Sequence, residues 1–343
     1  MNKRNMTKTA LLAVLTAFSA GQAAQAQNTR ENNKREIVLR VLDQSKPNEY
    51  VPSAFFLHFP DKLGPKAIEE HLAFFRATNN DILKVQYEVL PPHWDIKTAA
   101  DFSKVEVLPE SYFDEQFKVI EGLAKAAGDE ALVIPTVYSP LMILQIATDN
   151  DDIYKLAEKY PKEAEKAFEK LAYSIENYIR GARKHGADGF YVSSHGGNKE
   201  WFGQYNKVFL NHYRKWDKYI SEVAAEVAPI NILHICGGEY EDLSDWADYP
   251  ASIINLPEFD TEKIKKAQEV FHRPIFGGLD HHGVLINGTI EEAKAQIDKI
   301  LENAPQNFIL GANCTVPNDT DYGRLRELVD YVHTWRQNHK QKK

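Results

Sequence analysis

Eight short apolar runs, separated by longer stretches of helical period, constrain this chain more than any other feature of its sequence. The runs occupy residues 54–59, 82–87, 132–138, 189–193, 230–235, 252–256, 274–278 and 308–311. They are brief, almost continuously hydrophobic and rich in β-branched residues, as strands buried on both faces are. Between them the spacing predicts helices over 65–77, 112–127, 161–185, 201–227, 261–270 and 289–302, with a last helix over 322–339. Thr289 followed by Glu292 forms a capping box, and Gly128 and Gly186 stand where helices should stop. Strand and helix in alternation imply a parallel sheet, and eight repeats favour a single (β/α)8 TIM barrel over an open, doubly wound sheet. Residues 91–109 break the regularity and are expected to form an extended loop near the mouth of the barrel.

The first 26 residues read as a secretory signal peptide. They have a basic start (Lys3, Arg4, Lys8), an apolar stretch over 10–20 and the small-residue site Ala24-Gln25-Ala26. The barrel domain is then expected to span 27–343, exported and, in a Gram-negative host, periplasmic. No later stretch reaches the roughly 18 apolar residues of a membrane span, so no membrane anchor is expected. The net charge of −8 is spread along the chain without a Lys/Arg run, which argues against a nucleic-acid partner.

The chemistry concentrates around the only two cysteines. His234 and Cys236 end the fifth apolar run, and Cys314 lies just beyond the eighth. In a barrel all three face the rim where active sites are built. One imidazole and two thiolates form a soft donor set that selects zinc and leaves a coordination position free. In an oxidising compartment the same cysteines can instead pair as a Cys236–Cys314 disulfide, and the sequence leaves both readings open. Glu258, after the sixth run, sits at the same level and is the candidate for a fourth, displaceable ligand, or else an ordinary loop acid. Two thiolates make zinc a mild Lewis acid, better suited to holding and deprotonating a substrate thiol than to activating water.

Other polar residues end strands on the same rim. His58 ends the first run and Asp280, His281 and His282 follow the seventh; His58, Asp280 and His281 are candidates for catalysis, with buried or solvated structural roles as the alternative. Gln86 and Glu88 close the second run. Ser193, Ser194 and His195 close the fourth, with no acid placed to complete a serine triad. Tyr138, Tyr191 and Trp94 supply apolar walls or plain core. Asn287-Gly288-Thr289 matches a glycosylation sequon, which matters only in a eukaryotic secretory host.

The segments Leu233-His-Ile-Cys-Gly237, Gly277-Gly-Leu-Asp280, Gly288-Thr-Ile-Glu-Glu292, Gly186-Ala-Asp-Gly189 and Gly311-Ala-Asn-Cys314 resemble the uroporphyrinogen decarboxylase superfamily over most of the chain. Within it they look like the zinc methyltransferases that pass methyl groups from a corrinoid protein to a thiol. The spaced His/Cys/Cys set is also similar to that of cobalamin-independent methionine synthases, which carry a Glu about twenty residues past the His-x-Cys pair, as Glu258 stands here. The resemblance implies Zn2+ held by His234, Cys236, Cys314 and Glu258, with a small-molecule thiol or alkyl donor, or a corrinoid protein, as partner. It departs from the decarboxylases themselves. Their early Arg-Gln-Ala-Gly-Arg element binds substrate carboxylates, whereas this chain reads Phe55-Phe-Leu-His-Phe59 there and has no Arg between Arg40 and Arg76. Zinc-dependent alkyl transfer to a thiol is therefore the leading expectation. Decarboxylation of a tetrapyrrole and non-catalytic binding of a corrinoid or thiol are the alternatives.

Overall fold

A computed structural model describes residues 33–43, 45, 50–195, 205–237, 243–256 and 260–340. Eight parallel strands run in the order β1-β8-β7-β6-β5-β4-β3-β2. They are β1 (Ser53–Ala54), β2 (Ile82–Val85), β3 (Leu132–Tyr138), β4 (Gly189–Ser194), β5 (Ile230–Ile235), β6 (Ile253–Asn255), β7 (Ile275–Leu279) and β8 (Phe308–Ala312). Helices α1 (Lys34–Arg40), α2 (Gly64–Thr78), α3 (Asp114–Ala127), α4 (Pro140–Thr148), α5 (Ile153–Lys159), α6 (Pro161–Lys184), α7 (Arg214–Val227), α8 (Thr261–Phe271), α9 (Ile290–Asn303) and α10 (Tyr322–Lys340) join and surround them. This is the expected (β/α)8 barrel. No helix among the described residues is long and apolar enough to cross a membrane.

The strands alternate between two cores, as period-2 side-chain direction requires. One alternation fills the barrel with Ala54, Phe56, Ile82, Leu132, Ile134, Tyr191, Ile230, Ile232, Ile253, Phe276 and Ile309. The other packs against the helices. Gly311 makes room for this filling: a Cβ there would stand 2.2 Å from Cε2 of Phe276, whose ring occupies the barrel centre.

The ring closes at β1 and β2 through side chains more than through a regular ladder. Asp81 N donates to Ser53 O, while the Asp81 carboxylate accepts from Ser53 N at 2.7 Å. Asn80 takes the place of a strand residue, accepting from Phe55 N and donating to Phe55 O, both at 3.0 Å. Higher up, Gln86 Nε2 donates to Leu57 O at 2.7 Å. The predicted first strand thus shortens to two residues, because beyond Ala54 its bonds go to the Asn80 and Gln86 side chains that flank β2 and, from Phe56 O, to Val316 N.

Four elements depart from the sequence reading. α1, capped by Asn33, stands ahead of the first apolar run, where the spacing predicts no helix, and its Val38, with Val41 just beyond it, plugs the bottom of the barrel. α4 and α5 fill the interval before α6 that the spacing left blank; Ser139 caps α4 and Pro140 opens it. The 91–109 segment contains a 3₁₀ turn (Ala99–Lys104), and its second half is fastened along α6 by Leu108 N to Ser174 Oγ and Lys170 Nζ to Val105 O. That part covers the flank of the barrel and not its mouth.

Candidate metal centre

His234 occupies the inward-facing, next-to-last position of β5. Cys236 follows the strand directly, and its amide continues the ladder by donating to Ser194 O at 3.0 Å. Cys314 lies two residues past β8, positioned by the bond from Asn313 N to Leu279 O at 2.8 Å. The fold brings all three to the C-terminal rim, with ligand atoms within 4.8 Å of one another. The cysteines are free thiols and not a disulfide. Cys314 Sγ stands 3.9 Å from His234 Nε2.

The electrostatics of the trio are those of a site short of positive charge. A hydrogen bond from Cys236 to Cys314, with His234 and His281 close by, pushes the Cys314 thiol well down. The same bond, together with burial, pushes Cys236 up, although Ser193 also hydrogen-bonds its sulfur.

His234 is 4 % exposed, and its Nδ1 has no hydrogen-bond partner among the described residues. Its ring stacks on Tyr191 with centroids 5.1 Å apart, and Tyr191 is fixed by its hydroxyl donating to Asn255 Oδ1 at 2.5 Å. A buried imidazole with one orphaned nitrogen and the other facing a sulfur at 3.9 Å is under-satisfied. Coordination of a divalent ion would offset that cost, and an S₂N donor set fits zinc.

The remaining candidates divide into near and far. His281 belongs to the centre: its N and Nδ1 both meet Asn313 Oδ1, at 2.9 and 2.8 Å, and it acts electrostatically on Cys314. Asp280 caps its own turn, accepting from His282 N at 2.9 Å, with His281 Nδ1 3.6 Å away. His58 is engaged elsewhere on the rim, with Nδ1 3.1 Å from Glu88 Oε1 and Lys62 also reaching Glu88. Burial alone would raise the Glu88 carboxyl, yet the bonds from His58 and Lys62 hold it below its usual range. Ser194 points away from the mouth, donating to the buried Asp217 and accepting from Trp246. Glu258 lies outside the described residues.

Two further side chains complete the surroundings of the trio, His195, which the sequence marks as a strand-end residue, and Lys84, which it does not single out. His195 is buried with Nδ1 3.1 Å from Ser139 Oγ, and burial, with His234 nearby, pushes it down to about 4, so it is a neutral imidazole beside the trio. Lys84 points into the barrel from β2, with Nζ donating to Gln86 Oε1 at 2.9 Å. It lies over the rings of Phe56 and Tyr191 at 5.0 and 4.6 Å. A lysine inside a run read as buried on both faces was the available signal.

Comparison with known proteins bears on this geometry at several levels. No curated protein matches the sequence. Among solved structures, a methyltransferase from Methanosarcina mazei superposes with a TM-score of 0.73 at 16% identity, covering 88% of this chain and 99% of that one. A B12-independent methionine synthase from Shewanella sp., in complex with selenomethionine, gives a TM-score of 0.52 at 16% identity, covering 86% and 96% of the two chains. A putative vitamin-B12 independent methionine synthase from Listeria monocytogenes gives 0.50 at 14%, covering 82% of this chain and 98% of that one. At such identities the likeness is one of fold. The uroporphyrinogen decarboxylase family matches residues 87–335, from the end of β2 into α10, and the chain therefore belongs to the uroporphyrinogen decarboxylase family.

Proposed function

We propose that this protein is a zinc-dependent enzyme that transfers a methyl or other alkyl group to a thiol. The observation that carries the reading is the meeting of His234, Cys236 and Cys314, from β5 and β8, with ligand atoms within 4.8 Å at the open end of the barrel. A zinc ion held there would supply Lewis acidity, lowering the pKa of an incoming thiol so that it enters as a nucleophile. Glu258 is proposed as the carboxylate that yields its place to that sulfur. Ser193 holds Cys236, and Asn313 orients the His281 ring beside Cys314. Tyr191 braces the His234 imidazole, so the ligand set is pre-positioned by its neighbours.

The likeness in fold to a methyltransferase and to methionine synthases supports alkyl transfer over the family's namesake decarboxylation. The alkyl donor is proposed to be a small molecule or a corrinoid protein, and the chain is proposed to act after export, its first 26 residues removed. Metal analysis of protein purified under reducing conditions tests the core of the scheme. One equivalent of zinc is expected, lost in Cys236→Ser. A metal-free wild type, or decarboxylation of uroporphyrinogen unaffected by a chelator, would overturn it.

A further inference from the structure

The proposed chemistry releases a proton, and the three ligands, committed to the metal, cannot receive it. A thiol that enters as Glu258 leaves exchanges one carboxylate for one thiolate, so the charge of the ligand set is unchanged and only the S–H proton needs a destination. His58 is placed to take it. Ala54 and Phe56 fill the barrel, and continued alternation points His58 inward as well, one layer nearer the mouth. The Phe56 ring meets Tyr191 with centroids 5.6 Å apart, and Tyr191 stacks on His234, so the layer above Phe56 is that of the metal ligands. The loop that carries Cys314 is laced to the same stretch: Val316 N donates to Phe56 O at 2.8 Å, and His58 N donates to Asn318 Oδ1 at 3.1 Å. β1 and β8 are direct neighbours in the ring, with Ala54 opposite Gly311. His58 is outside the trio, yet it stands on the adjoining arc of the mouth.

Its ring is set by its neighbours. From beyond the end of β2 the Glu88 carboxylate meets Nδ1 at 3.1 Å, from the loop before α2 Lys62 Nζ shares that oxygen at 3.2 Å, and from the loop after β8 comes the uncharged Asn318. Glu88 is itself anchored, its N–H donating to Oε1 of the buried Gln116 at 2.9 Å. An ionised carboxylate only accepts, so Nδ1 carries the hydrogen and Nε2 keeps the lone pair. Nε2 has no hydrogen-bond partner among the described residues, and the side chain is 33 % exposed, open to a molecule in the mouth. We propose that His58 is the catalytic base that takes the proton of the incoming thiol, with Glu88 as the positioning residue that fixes the imidazole's tautomer and balances the imidazolium that forms. The S–H bond breaks and an N–H bond forms at Nε2. The sulfur keeps the electron pair with which it takes the place of the Glu258 carboxylate. The assignment rests on the zinc reading above and deepens it, separating metal holding on β5 and β8 from proton handling beyond β1 and β2.

Thiol entry into the cobalt-substituted protein tests this, because sulfur ligation gives an absorption whose growth can be timed without turnover. The probe is 2-mercaptoethanol at about pH 7, where such a thiol is mostly protonated. His58→Gln is expected to slow its entry by about a hundredfold, the low end of what a positioned base contributes, and to leave cobalt affinity within about threefold of wild type. Imidazole added to the buffer should restore part of the rate in His58→Gln and leave wild type unchanged, a response that a merely structural histidine would not give. Glu88→Gln, whose amide oxygen still accepts from Nδ1, should slow entry less than His58→Gln does. Wild type supplies a measurement that needs no variant: 2-mercaptoethanol and the more acidic trifluoroethanethiol should enter at rates closer together than their thiolate fractions. Rates in proportion to those fractions would mean that the proton leaves before entry, and the proposal falls. It falls equally if His58→Gln takes up the thiol as fast as wild type, or if its slow entry ignores imidazole. Loss of cobalt from a folded His58→Gln would make the histidine a ligand and overturn the assignment. Should that variant not fold, the wild-type comparison decides. A wild-type protein that takes up neither cobalt nor zinc defeats the functional reading itself, a separable result.

Discussion

At the N-terminal end of the strands, Asp81 is fully buried and its carboxylate meets Ser53 N, Tyr50 Oη, His333 Nε2 and Lys34 Nζ at 2.7, 3.1, 2.8 and 3.5 Å. Toward the C-terminal end, the His234 Nδ1 has no hydrogen-bond partner among the described residues, the Lys84 ammonium donates to Gln86 Oε1, and the Cys236 and Cys314 thiols are pushed in opposite directions. Both ends bury polar groups, and the lower one gathers four partners around a single carboxylate, although Ser53 Oγ and Asn307 Nδ2 there have no hydrogen-bond partner among the described residues. The contrast shows where the fold is stabilised and where it keeps unspent bonding capacity for a ligand, the usual division between the two faces of such barrels.

Substitutions can break that contrast, beginning with the strongest effect on stability. Asp81→Ala should destabilise the protein by about 3–5 kcal/mol in urea unfolding, because it strands Lys34, His333 and Ser53 N together. A loss below about 1 kcal/mol would mean that the lower end is no better anchored than the upper.

Acidification probes the region between the two ends. His71 is buried, its Nδ1 donating to Ala67 O and its Nε2 accepting from Gln86 N, and burial holds it neutral, down to about 4. The unfolded chain takes up the proton first, near pH 6.5, so His71 contributes fully above that pH and progressively less as pH falls towards 4. The total is about 3 kcal/mol. His195 adds an effect of the same sign. Unfolding free energies at a series of pH values should show the decline, with a shallower slope for His71→Gln; an unchanged slope would remove His71 from the account.

Gly311→Ala is expected to cost at least about 1–3 kcal/mol, since its Cβ must displace both the Phe276 ring and the backbone of β1 at Ala54 O, 2.5 Å away. A thermal-unfolding comparison with wild type reads this directly, and equal stability would show that the barrel centre has slack. Smallest of all for stability should be Cys314→Ser, within about 1 kcal/mol in metal-free protein. Its zinc content should nevertheless fall to background. A variant that unfolds, or one that retains stoichiometric zinc, would dissolve the distinction between the two ends.

The sequence displays the barrel well because strands buried on both faces announce themselves as apolar runs; the spans predicted for β3 and β5 coincide with those observed. The trio at the rim is legible for a related reason, since His234 lies near the end of such a run and each cysteine closely follows one. What stays hidden depends on tertiary context. α4 is nearly all apolar, so it has no amphipathic stripe to reveal it, and α1 spans only seven residues. Asn80 and Asp81 look like turn residues until their pairing with 53–55 is seen. Lys84 is an ordinary strand lysine until Phe56 and Tyr191 are found against it.

The stitched junction between β1 and β2 has a mechanical consequence. Parting two paired backbones elsewhere in the ring means releasing a run of ladder bonds, but here, besides the one backbone bond from Asp81 N to Ser53 O, the fastening passes through the side-chain amides of Asn80 and Gln86 and one carboxylate. The stretch from Ser53 to Leu57 is thus the natural tear line of the cylinder, and its backbone amides should exchange with deuterium ahead of those in β4 and β5.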